Sequence, residues 1–253
     1  MQDESDGKLS MNKNCSEGEK ERVLKFENPE LDRKIGGIPI PSLTLIEGPN
    51  DSGKSVLVQQ LAYGALKNGF RVVYITTETS VKSLLSHMRG LNWDVDDYFI
   101  SGVFRITPLN VAGMEWNPES SKYFLTALIS FARKKQNFFD ECIVDSLTHL
   151  ITHAKPVDVL AFFSQCRHFV DSQGKTFIIT LHPYSLNQEL MIRIRAICDG
   201  HLNLAIRTFR DKNILTVNVS KLKGASQTSG SFISFEVNPA FGIKVLPFTA
   251  TRG

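Results

Sequence analysis

The stretch SLTLIEGPNDSGKSVLVQQLAYGALKNG, residues 42–69, decides the fold. Residues 42–48 are mostly apolar and predict a buried strand that ends at a glycine-containing loop. Residues 55–69 follow a helical pattern, in which Val56, Ala62 and Leu66 are candidates for packing and Gly69 ends the helix. A buried strand, a loop and a helix in this order predict an α/β domain with a phosphate-binding turn.

The loop GPNDSGKS has the spacing GxxxxGK[ST]. Backbone amides of residues 50–55 can surround a β-phosphate, and the positive end of the following helix faces the anion. Lys54 would reach the β- and γ-phosphates, and the Ser55 hydroxyl would bind Mg²⁺. A chance match to a short pattern is the alternative, but the strand before the loop and the helix after it favour a nucleotide site. The nucleotide-contacting residues predicted in this segment are Gly48, Asn50, Asp51, Ser52, Gly53, Lys54, Ser55 and Val56.

The rest of the chain continues the alternation of strands and helices. Strands are predicted at residues 71–78, 103–107, 141–146 and 175–182, and helices at residues 120–136 and 156–174, with a short helix capped by Ser80. This order predicts a three-layer α/β fold, in which helices cover both faces of a mainly parallel central sheet. Four short strands predicted after residue 200 would form an antiparallel extension at one edge.

Length and composition favour one domain. A chain of 253 residues, 42% of them hydrophobic, can bury a single large core, which we place at residues 23–253. Residues 1–22 are mostly polar and charged, so we predict a disordered tail there. The net charge is +3 and long runs of like charge are absent, so the sequence gives no indication of nucleic-acid binding.

Cysteine spacing and hydropathy indicate the compartment. Cys15, Cys142, Cys166 and Cys198 are far apart and form no CxxC pair, which favours a reducing, intracellular location. The sequence has neither an apolar signal region at its start nor an apolar segment long enough to span a bilayer. We therefore expect a cytoplasmic protein that reaches a membrane only through partners.

A second ligand for the magnesium ion is predicted at the end of another strand. Asp145 closes the apolar run CIVD, and a carboxylate in that position can bind the metal or its hydration shell. The run is short because Asp140 and Glu141 precede it, and an aspartate here can also serve as a helix N-cap or a turn residue. We assign the metal site to Ser55 and Asp145.

Three further side chains are predicted on the same rim. Glu78 ends VVYITTE, and from there it would project into the crevice where open α/β sheets bind ligands. It is the candidate catalytic base that orients water, with a solvated strand-end glutamate as the alternative. Thr180 and His182 end the strand KTFIITLH and could sense the γ-phosphate. For His182, a histidine satisfied within the core is the alternative.

Two other patterns bear on the cofactor. His149 and His153 are four residues apart and could share a helix face, but a third metal ligand is not close in sequence, so nucleotide chemistry explains the region better. The NKxD loop that reads guanine in Ras-type GTPases is absent, because the only Asn-Lys dipeptide, Asn12-Lys13, lies in the tail. The predicted cofactors are therefore ATP and Mg²⁺.

Several segments together resemble a known family. They are LDRKIGGIPIPSLTLIEGPNDSGKS (31–55), VVYITTETS (72–80), CIVDSL (142–147), FIITLHP (177–183) and VSKLKG (219–224). The chain resembles the RecA/KaiC-like superfamily of P-loop ATP-binding domains over nearly its whole length. Within that superfamily it is most similar to the ATP-binding accessory proteins of the archaeal flagellum, or archaellum.

This resemblance implies a RecA-like fold that assembles as a ring, usually a hexamer, with ATP at the subunit interfaces. In KaiC-like domains a KxRG segment on a late strand reaches the γ-phosphate bound by the neighbouring subunit. Lys221, Lys223 and Gly224 match that pattern, with lysine in place of arginine. The resemblance therefore implies that Lys221 and Lys223 contact ATP in trans, and a solvated hairpin is the alternative.

Two departures from the family pattern weaken the case for fast catalysis. KaiC-like sites with strong catalytic function carry paired glutamates after the second strand, whereas Glu78 is followed by Thr79. Lys223, at the arginine position, supplies a point charge without the planar fork that holds a transferring phosphoryl group. Both changes preserve phosphate binding and weaken transition-state stabilisation, so we expect at most weak ATPase activity.

The resemblance also implies partners. It predicts an ATP-binding regulatory ring at the cytoplasmic base of the archaellum, whose nucleotide state controls its contact with the motor ATPase and the membrane platform. The alternative is a DNA-dependent recombination or repair ATPase of the RadA type. The helix predicted after His182, however, has only Arg193 and Arg195 as basic side chains for contacting DNA. A third possibility is self-phosphorylation at the hydroxyls of TTETS and GASQTSGS, for which the sequence gives little support.

Overall fold

A computed structural model describes residues 22–109, 111, 113–209, 212–224 and 232–247. The predicted tail, apart from Arg22, and residues 225–231 of the segment GASQTSGS lie outside these ranges. Across the described ranges, no helix is long and apolar enough to cross a membrane.

The described chain alternates strands and helices through residue 200 and then continues as strands. The helices are α1 (Pro29–Ile35), α2 (Lys54–Lys67), α3 (Val81–Gly90), α4 (Asp96–Ile100), α5 (Pro118–Lys135), α6 (Thr148–Ile151), α7 (Pro156–Gln173) and α8 (Gln188–Ile197). The strands are β1 (Val23–Leu24), β2 (Ile38–Pro39), β3 (Leu43–Glu47), β4 (Val72–Thr76), β5 (Phe104–Pro108), β6 (Glu141–Asp145), β7 (Thr176–Leu181), β8 (Gly200–Phe209), β9 (Lys212–Leu222), β10 (Phe232–Asn238) and β11 (Gly242–Leu246).

Nine of these strands form the central sheet, in the order β11-β10-β9-β8-β3-β7-β6-β4-β5. The six strands from β8 to β5 are mutually parallel, and β9, β10 and β11 add antiparallel pairs beyond β8. The mainly parallel sheet with an antiparallel C-terminal edge is therefore confirmed. One detail differs from the prediction, because β8 pairs in parallel with β3 and only the later strands form the antiparallel extension.

Helices cover both faces of the parallel part, as the apolar strand sequences require. On one face Tyr74, Ile143 and Ile178 pack in a core that includes α2. On the other face Val73 and Ile179 pack in a second core that includes α5, α7 and α8. Because β3, β4, β6 and β7 are buried along their whole length, apolar side chains fill the middle of each strand on both faces, and the polar ones lie mainly near the strand ends.

Local capping explains where several helices begin. The Ser80 side chain accepts a hydrogen bond from the amide of Ser83, which confirms the predicted cap of α3. Pro156 is the first residue of α7, where a missing amide proton costs nothing. Asn187 caps α8 by accepting from the amide of Leu190. Helix α8 therefore starts six residues after His182, at Gln188, and it leads into β8.

Candidate nucleotide-binding site

The carboxyl ends of four parallel strands meet along one rim of the sheet. In spatial order these are β3, which leads into the glycine loop, then β7, β6 and β4. The strand that carries Asp145 is separated from the loop strand by β7, so the two are not direct neighbours. Open α/β sheets bind ligands in the crevice at this edge. The fold therefore brings the predicted loop, Thr180, Asp145 and the segment leading to Glu78 to one edge.

Close packing explains the two glycines of the loop. Gly53 has a φ of +88°, and a Cβ added there would lie 3.1 Å from the Phe235 ring and 3.2 Å from Leu215. A Cβ on Gly48 would lie 2.4 Å from the hydroxyl of Ser52. Asp51 also has a left-handed φ of +59°. The loop is therefore tightly folded over strands β9 and β10, and only glycine fits at these two positions.

Lys54 lies at the centre of the site. Its Nζ donates hydrogen bonds to the carbonyl oxygens of Gly48 and Pro49, each at 2.8 Å. Burial lowers the pKa of Lys54, while the negative charges of Glu78, Asp145 and Asp51 act in the opposite direction. The ammonium group is thus held by loop carbonyls and lies within electrostatic reach of three carboxylates. A triphosphate in the loop would supply further negative charge to the same cation.

Asp145 is held by three hydroxyl groups. Its Oδ1 accepts from Thr180 at 2.7 Å and from Ser55 at 3.3 Å, and its Oδ2 accepts from Tyr74 at 2.6 Å. The side chain is 3% exposed, while Tyr74 and Thr180 are fully buried. These contacts fix the orientation of the carboxylate towards the first turn of α2. Thr180, which we predicted as a γ-phosphate sensor, here orients Asp145.

The donor set at this point fits a magnesium ion. Ser55 and Asp145 present a hydroxyl and a carboxylate oxygen 3.3 Å apart, and Mg²⁺ prefers oxygen ligands of this kind together with water and phosphate. Gly53 is the residue that precedes helix α2, and it provides no side-chain cap, so the loop leads directly into the first turn of the helix. Uncapped amides at a helix N-terminus favour an anion. The residues present therefore fit both Mg²⁺ and a phosphate chain.

Glu78 differs from Asp145 in how it is held. Its own amide donates to Thr76 Oγ1 at 3.2 Å, but within the described part of the chain its carboxylate receives no hydrogen bond, and the residue is exposed. Partial desolvation raises the pKa of Glu78, and the charge of Asp145 raises it further, whereas Lys54 and His149 lower it. The carboxylate therefore lies within electrostatic reach of the site and has the raised proton affinity of a general base.

The histidines of the rim have different surroundings. His182 is half-buried, its amide donates to Thr148 Oγ1 at 3.0 Å, and its Nδ1 accepts from the amide of Tyr184 at 3.3 Å. Burial and the charge of Lys54 lower the pKa of His182. His149 and His153 are exposed, and among the described residues no group of three potential metal ligands was found. The neutral form of His182 is therefore favoured, and the side chain lies within electrostatic reach of Lys54.

Lys221, near the end of β9, and Lys223, just after that strand, lie at the other end of the sheet. Lys221 pairs with His201 near the start of β8, and β8 starts beside Thr44 near the start of β3. Lys221 Nζ donates to carbonyl oxygens at the end of α8, whereas the Lys223 side chain is 64% exposed, with Nζ 4.0 Å from an Asp199 carboxylate oxygen. Neither lysine is placed to reach the loop of its own chain.

Two features of the site were not predicted from the sequence. Tyr74 resembled an ordinary core residue of VVYIT, and only the pairing of β4 with β6 shows that it faces Asp145. In the DNA-dependent alternative, Arg195 is a basic side chain that would contact DNA. In the structure it binds Glu47 at the end of β3. A signal for the second contact was present, since a glutamate that ends an otherwise apolar strand needs a cationic partner when it is buried.

Comparisons with known proteins agree with this geometry. Residues 26–250 match the sequence model of the family described as "ATPase: KaiC". The archaeal flagellar ATP-binding protein FlaH of Sulfolobus acidocaldarius is 35% identical over 91% of this chain and 99% of its own length. The protein of the same name from Methanocaldococcus jannaschii is 30% identical over 88% of this chain and 94% of its own length.

A solved structure supports the same relationship. The crystal structure of the flagellar accessory protein FlaH from Methanocaldococcus jannaschii superimposes with a TM-score of 0.76 and 27% identity, covering 90% of this chain and all of the other. The RecA/KaiC-like fold is thus shared along the matched length. The chain belongs to the KaiC-like ATPase family and, within it, to the archaeal flagellar ATP-binding proteins of the FlaH type.

Proposed function

We propose that this protein is an ATP-binding regulatory component of the archaellum motor, which holds ATP and Mg²⁺ for long periods and hydrolyses ATP slowly. Its relatives are named as archaeal flagellar ATP-binding proteins, which supports the archaellum association. The rim supplies a phosphate loop, a lysine and a hydroxyl-carboxylate pair that suit a metal-bound triphosphate. Residues Gly48 to Val56 with Asp145 would hold the nucleotide, and Glu78 would orient the attacking water.

The observation that carries this proposal is the difference between the two acidic side chains of the rim. Three hydroxyls hold Asp145 in a fixed orientation next to Ser55, whereas Glu78 is exposed and held only through its backbone. Fast catalysis requires catalytic groups that are oriented before the reaction begins. The part of the site that binds is therefore organised in the single chain, and the part that would activate water is not.

We further propose that the chain forms a ring, for which a hexamer is the expected state. An exposed lysine at the opposite end of the sheet from the loop cannot reach the nucleotide of its own chain. Any nucleotide that it contacts must therefore be bound by another chain. Lys223 has that position. In a ring with ATP between subunits it would approach the γ-phosphate of a neighbour, as a point charge rather than a bidentate fork.

The nucleotide state would then control binding to the motor. If ATP orders the interface between subunits through its γ-phosphate and ADP does not, the ring favours one arrangement when ATP is bound. A partner that recognises that arrangement binds ATP-loaded rings more tightly. We place this interaction at the cytoplasmic base of the archaellum, with the hexameric motor ATPase and the membrane platform as partners.

The test measures binding of the purified motor ATPase to this protein with ATP, a non-hydrolysable analogue, ADP or no nucleotide. ATP and the analogue are expected to increase affinity about tenfold over ADP, and Lys54→Ala is expected to remove the difference. Lys67→Ala, at the exposed end of the same helix, is the matched control and should behave like the natural protein. Equal motor affinity under all four conditions would contradict the proposal.

Turnover provides a separate test of slow hydrolysis. Phosphate release from the assembled protein in a single turnover is expected to be slow, on the order of minutes or longer, compared with the typical enzyme rate of about 10 per second. Rapid release that depends on Glu78 would show that the protein works as an enzyme rather than as a nucleotide-dependent regulator.

A further inference from the structure

Glu47 is the last residue of β3 and directly precedes the nucleotide-binding loop. Its side chain is only 1% exposed. Arg195 of α8 binds it with two parallel hydrogen bonds, from Nε to Oε1 at 2.7 Å and from Nη2 to Oε2 at 2.6 Å. Nε2 of His201 on β8 lies 3.0 Å from Oε1. Burial acts to raise the pKa of Glu47, but Arg195 and His201 outweigh it and hold the pKa below its ordinary value.

Helix α8 is in turn held at its C-terminal end by Lys221. The Nζ of this lysine donates to the carbonyl oxygens of Arg195 at 3.2 Å and Ala196 at 3.4 Å, and it also donates to the carbonyl oxygen of Cys198. A cation here satisfies carbonyls that the helix leaves without partners and complements the helix dipole. An ammonium group has three protons, and all three are directed at this chain's own backbone.

We propose that Glu47, Arg195 and His201 position the nucleotide-binding loop, and that Lys221 supports them from within the same chain by holding the end of α8. The two-bond contact with Arg195 fixes the Glu47 side chain, and with it the last residue of β3. The next residue, Gly48, supplies a carbonyl that accepts from Lys54 Nζ at 2.8 Å. A displacement of α8 would therefore be transmitted to the backbone that surrounds the phosphates.

Lys221, near the end of β9, and Lys223, just after that strand, thus have separate roles. Lys221 becomes a positioning residue that acts in its own chain, while Lys223 remains the exposed cation available to a neighbour. The inference rests on the proposed nucleotide binding, but it requires neither the motor nor the membrane platform. Because its test uses the purified chain and nucleotide alone, its failure and a failure of motor regulation would be distinguishable.

The two nucleotides distinguish a positioning role from a contact with the γ-phosphate. The loop surrounds phosphates that ADP and ATP share, so a displaced loop weakens both nucleotides by a similar factor. A lysine that reaches the γ-phosphate of a neighbour contributes to ATP affinity only. The ratio of the two affinities therefore reports where Lys221 acts, whether or not the chains form a ring.

The experiment measures dissociation constants of ATP and ADP, each with Mg²⁺, for full-length Lys221→Met, together with thermal unfolding without nucleotide. We expect about fivefold weaker binding of both nucleotides with an unchanged ratio. Lys244→Met is the matched control, since Lys244 lies on the antiparallel edge with its Nζ 3.2 Å from Glu236 at the surface. This control should bind both nucleotides normally. A loss restricted to ATP, or normal binding of both by Lys221→Met, would overturn the proposal.

A second variant covers the case in which Lys221→Met does not fold. Arg195→Lys keeps the positive charge beside Glu47 but removes the planar fork that makes the two parallel hydrogen bonds. We expect about threefold weaker binding of both ATP and ADP by the folded variant. Wild-type affinity for both nucleotides in folded Arg195→Lys would overturn the positioning role of the Glu47 contact.

Discussion

Strand β6 carries a buried carboxylate at each end, Glu141 at the start and Asp145 at the finish, and the two lie on the same face of the sheet. Asp145 accepts hydrogen bonds from three hydroxyls. Glu141 is fully buried, and neither of its oxygens has a hydrogen-bond partner among the residues that the structure describes. Burial raises the pKa of Glu141 to about 8.

The difference shows what makes a buried carboxylate useful for binding. Asp145 lies at the carboxyl end of the parallel strands, where hydroxyls from β4, β7 and α2 converge and a cation can approach. At the amino end, Glu141 is the register neighbour of Thr176 on β7. The Thr176 hydroxyl is also buried and without a partner in the described ranges. Burial without partners favours the neutral acid at Glu141, whereas the three hydroxyls around Asp145 orient its carboxylate towards Ser55. The same strand therefore carries an oriented carboxylate at one end and a carboxylate without partners at the other.

The largest expected effect comes from neutralising the amino-end carboxylate with Glu141→Gln. The pKa of Glu141 in the folded protein, about 8, lies above the ordinary 4.5, so the folded state binds more protons. The contribution of Glu141 to stability is therefore fully present below pH 4.5 and is lost as pH rises through about 8. Relative to Glu141→Gln, the natural protein should lose about 5 kcal/mol of unfolding free energy across this range.

The unfolding free energies of both proteins are measured with denaturant at several pH values between about 5 and about 9 to check this expectation. Because Glu141 lies away from the rim, the ATP affinity of Glu141→Gln should equal that of the natural protein. Parallel pH dependence of the two unfolding free energies would show that Glu141 ionises normally in the folded protein and would remove the contrast between the two ends of β6.

The next largest effect concerns the carboxyl end and Lys54→Ala. This change removes the cation that we propose contacts the β- and γ-phosphates, and charge-assisted contacts of this type are worth about 3 kcal/mol. ATP affinity should fall about 100-fold, measured by isothermal titration calorimetry. Lys67→Ala, on the same helix, serves as the control with normal affinity expected. An affinity of Lys54→Ala within about threefold of normal would disprove the assignment of the loop.

Asp145→Asn tests the opposite end of β6 from Glu141→Gln with a similarly conservative change. Asparagine keeps the shape of the side chain but loses the charge that attracts Mg²⁺. ATP affinity in the presence of Mg²⁺ should fall about tenfold, whereas affinity measured with a chelator should change by less than about twofold. If both affinities fall equally, Asp145 supports the structure of the loop and not the metal.

The smallest expected effect on binding belongs to Glu78→Gln, because that carboxylate is exposed and lies beyond the hydroxyl-held part of the rim. ATP affinity should change by less than about twofold. Turnover by the natural protein should be slow and should rise with pH through the raised pKa of Glu78, since only the deprotonated carboxylate accepts a proton. Turnover by Glu78→Gln that keeps this pH dependence would assign the titration to another group.

Much of the fold follows from local sequence signals, and so does the core of the site. The continuous apolar runs predicted buried parallel strands, and the glycine loop between strand and helix located the phosphate site, because both depend on residues close together in the chain. Asp145 could be placed for the same reason, since parallel strands end at one edge. The strand predicted at residues 141–146 is observed as β6, which begins at Glu141, while Asp140 before it binds Arg71 at 2.8 Å.

The contacts that the sequence could not predict join distant parts of the chain. Glu47 and Arg195 are separated by 148 residues, and Tyr74 and Asp145 by 71. Their pairing depends on strand order and on the direction in which α8 returns, neither of which is encoded in local periodicity. The position of Lys221 at the end of α8 is of the same kind. The resemblance to KaiC-like domains indicated a functional lysine at position 221, but only the packed structure shows which carbonyl oxygens this lysine contacts.

The contact of Gly53 with Phe235 and Leu215 has a consequence for how such loops can be exchanged between proteins. The backbone of the loop rests directly on two side chains contributed by β9 and β10, 162 and 182 residues further along the chain, as their residue numbers show. A transplanted GPNDSGKS segment would therefore keep its shape only if the recipient offered an equally close apolar surface. The antiparallel strands thus support the shape of the loop. The side chains that fit at position 235 are in turn limited by Gly53, in the first quarter of the chain.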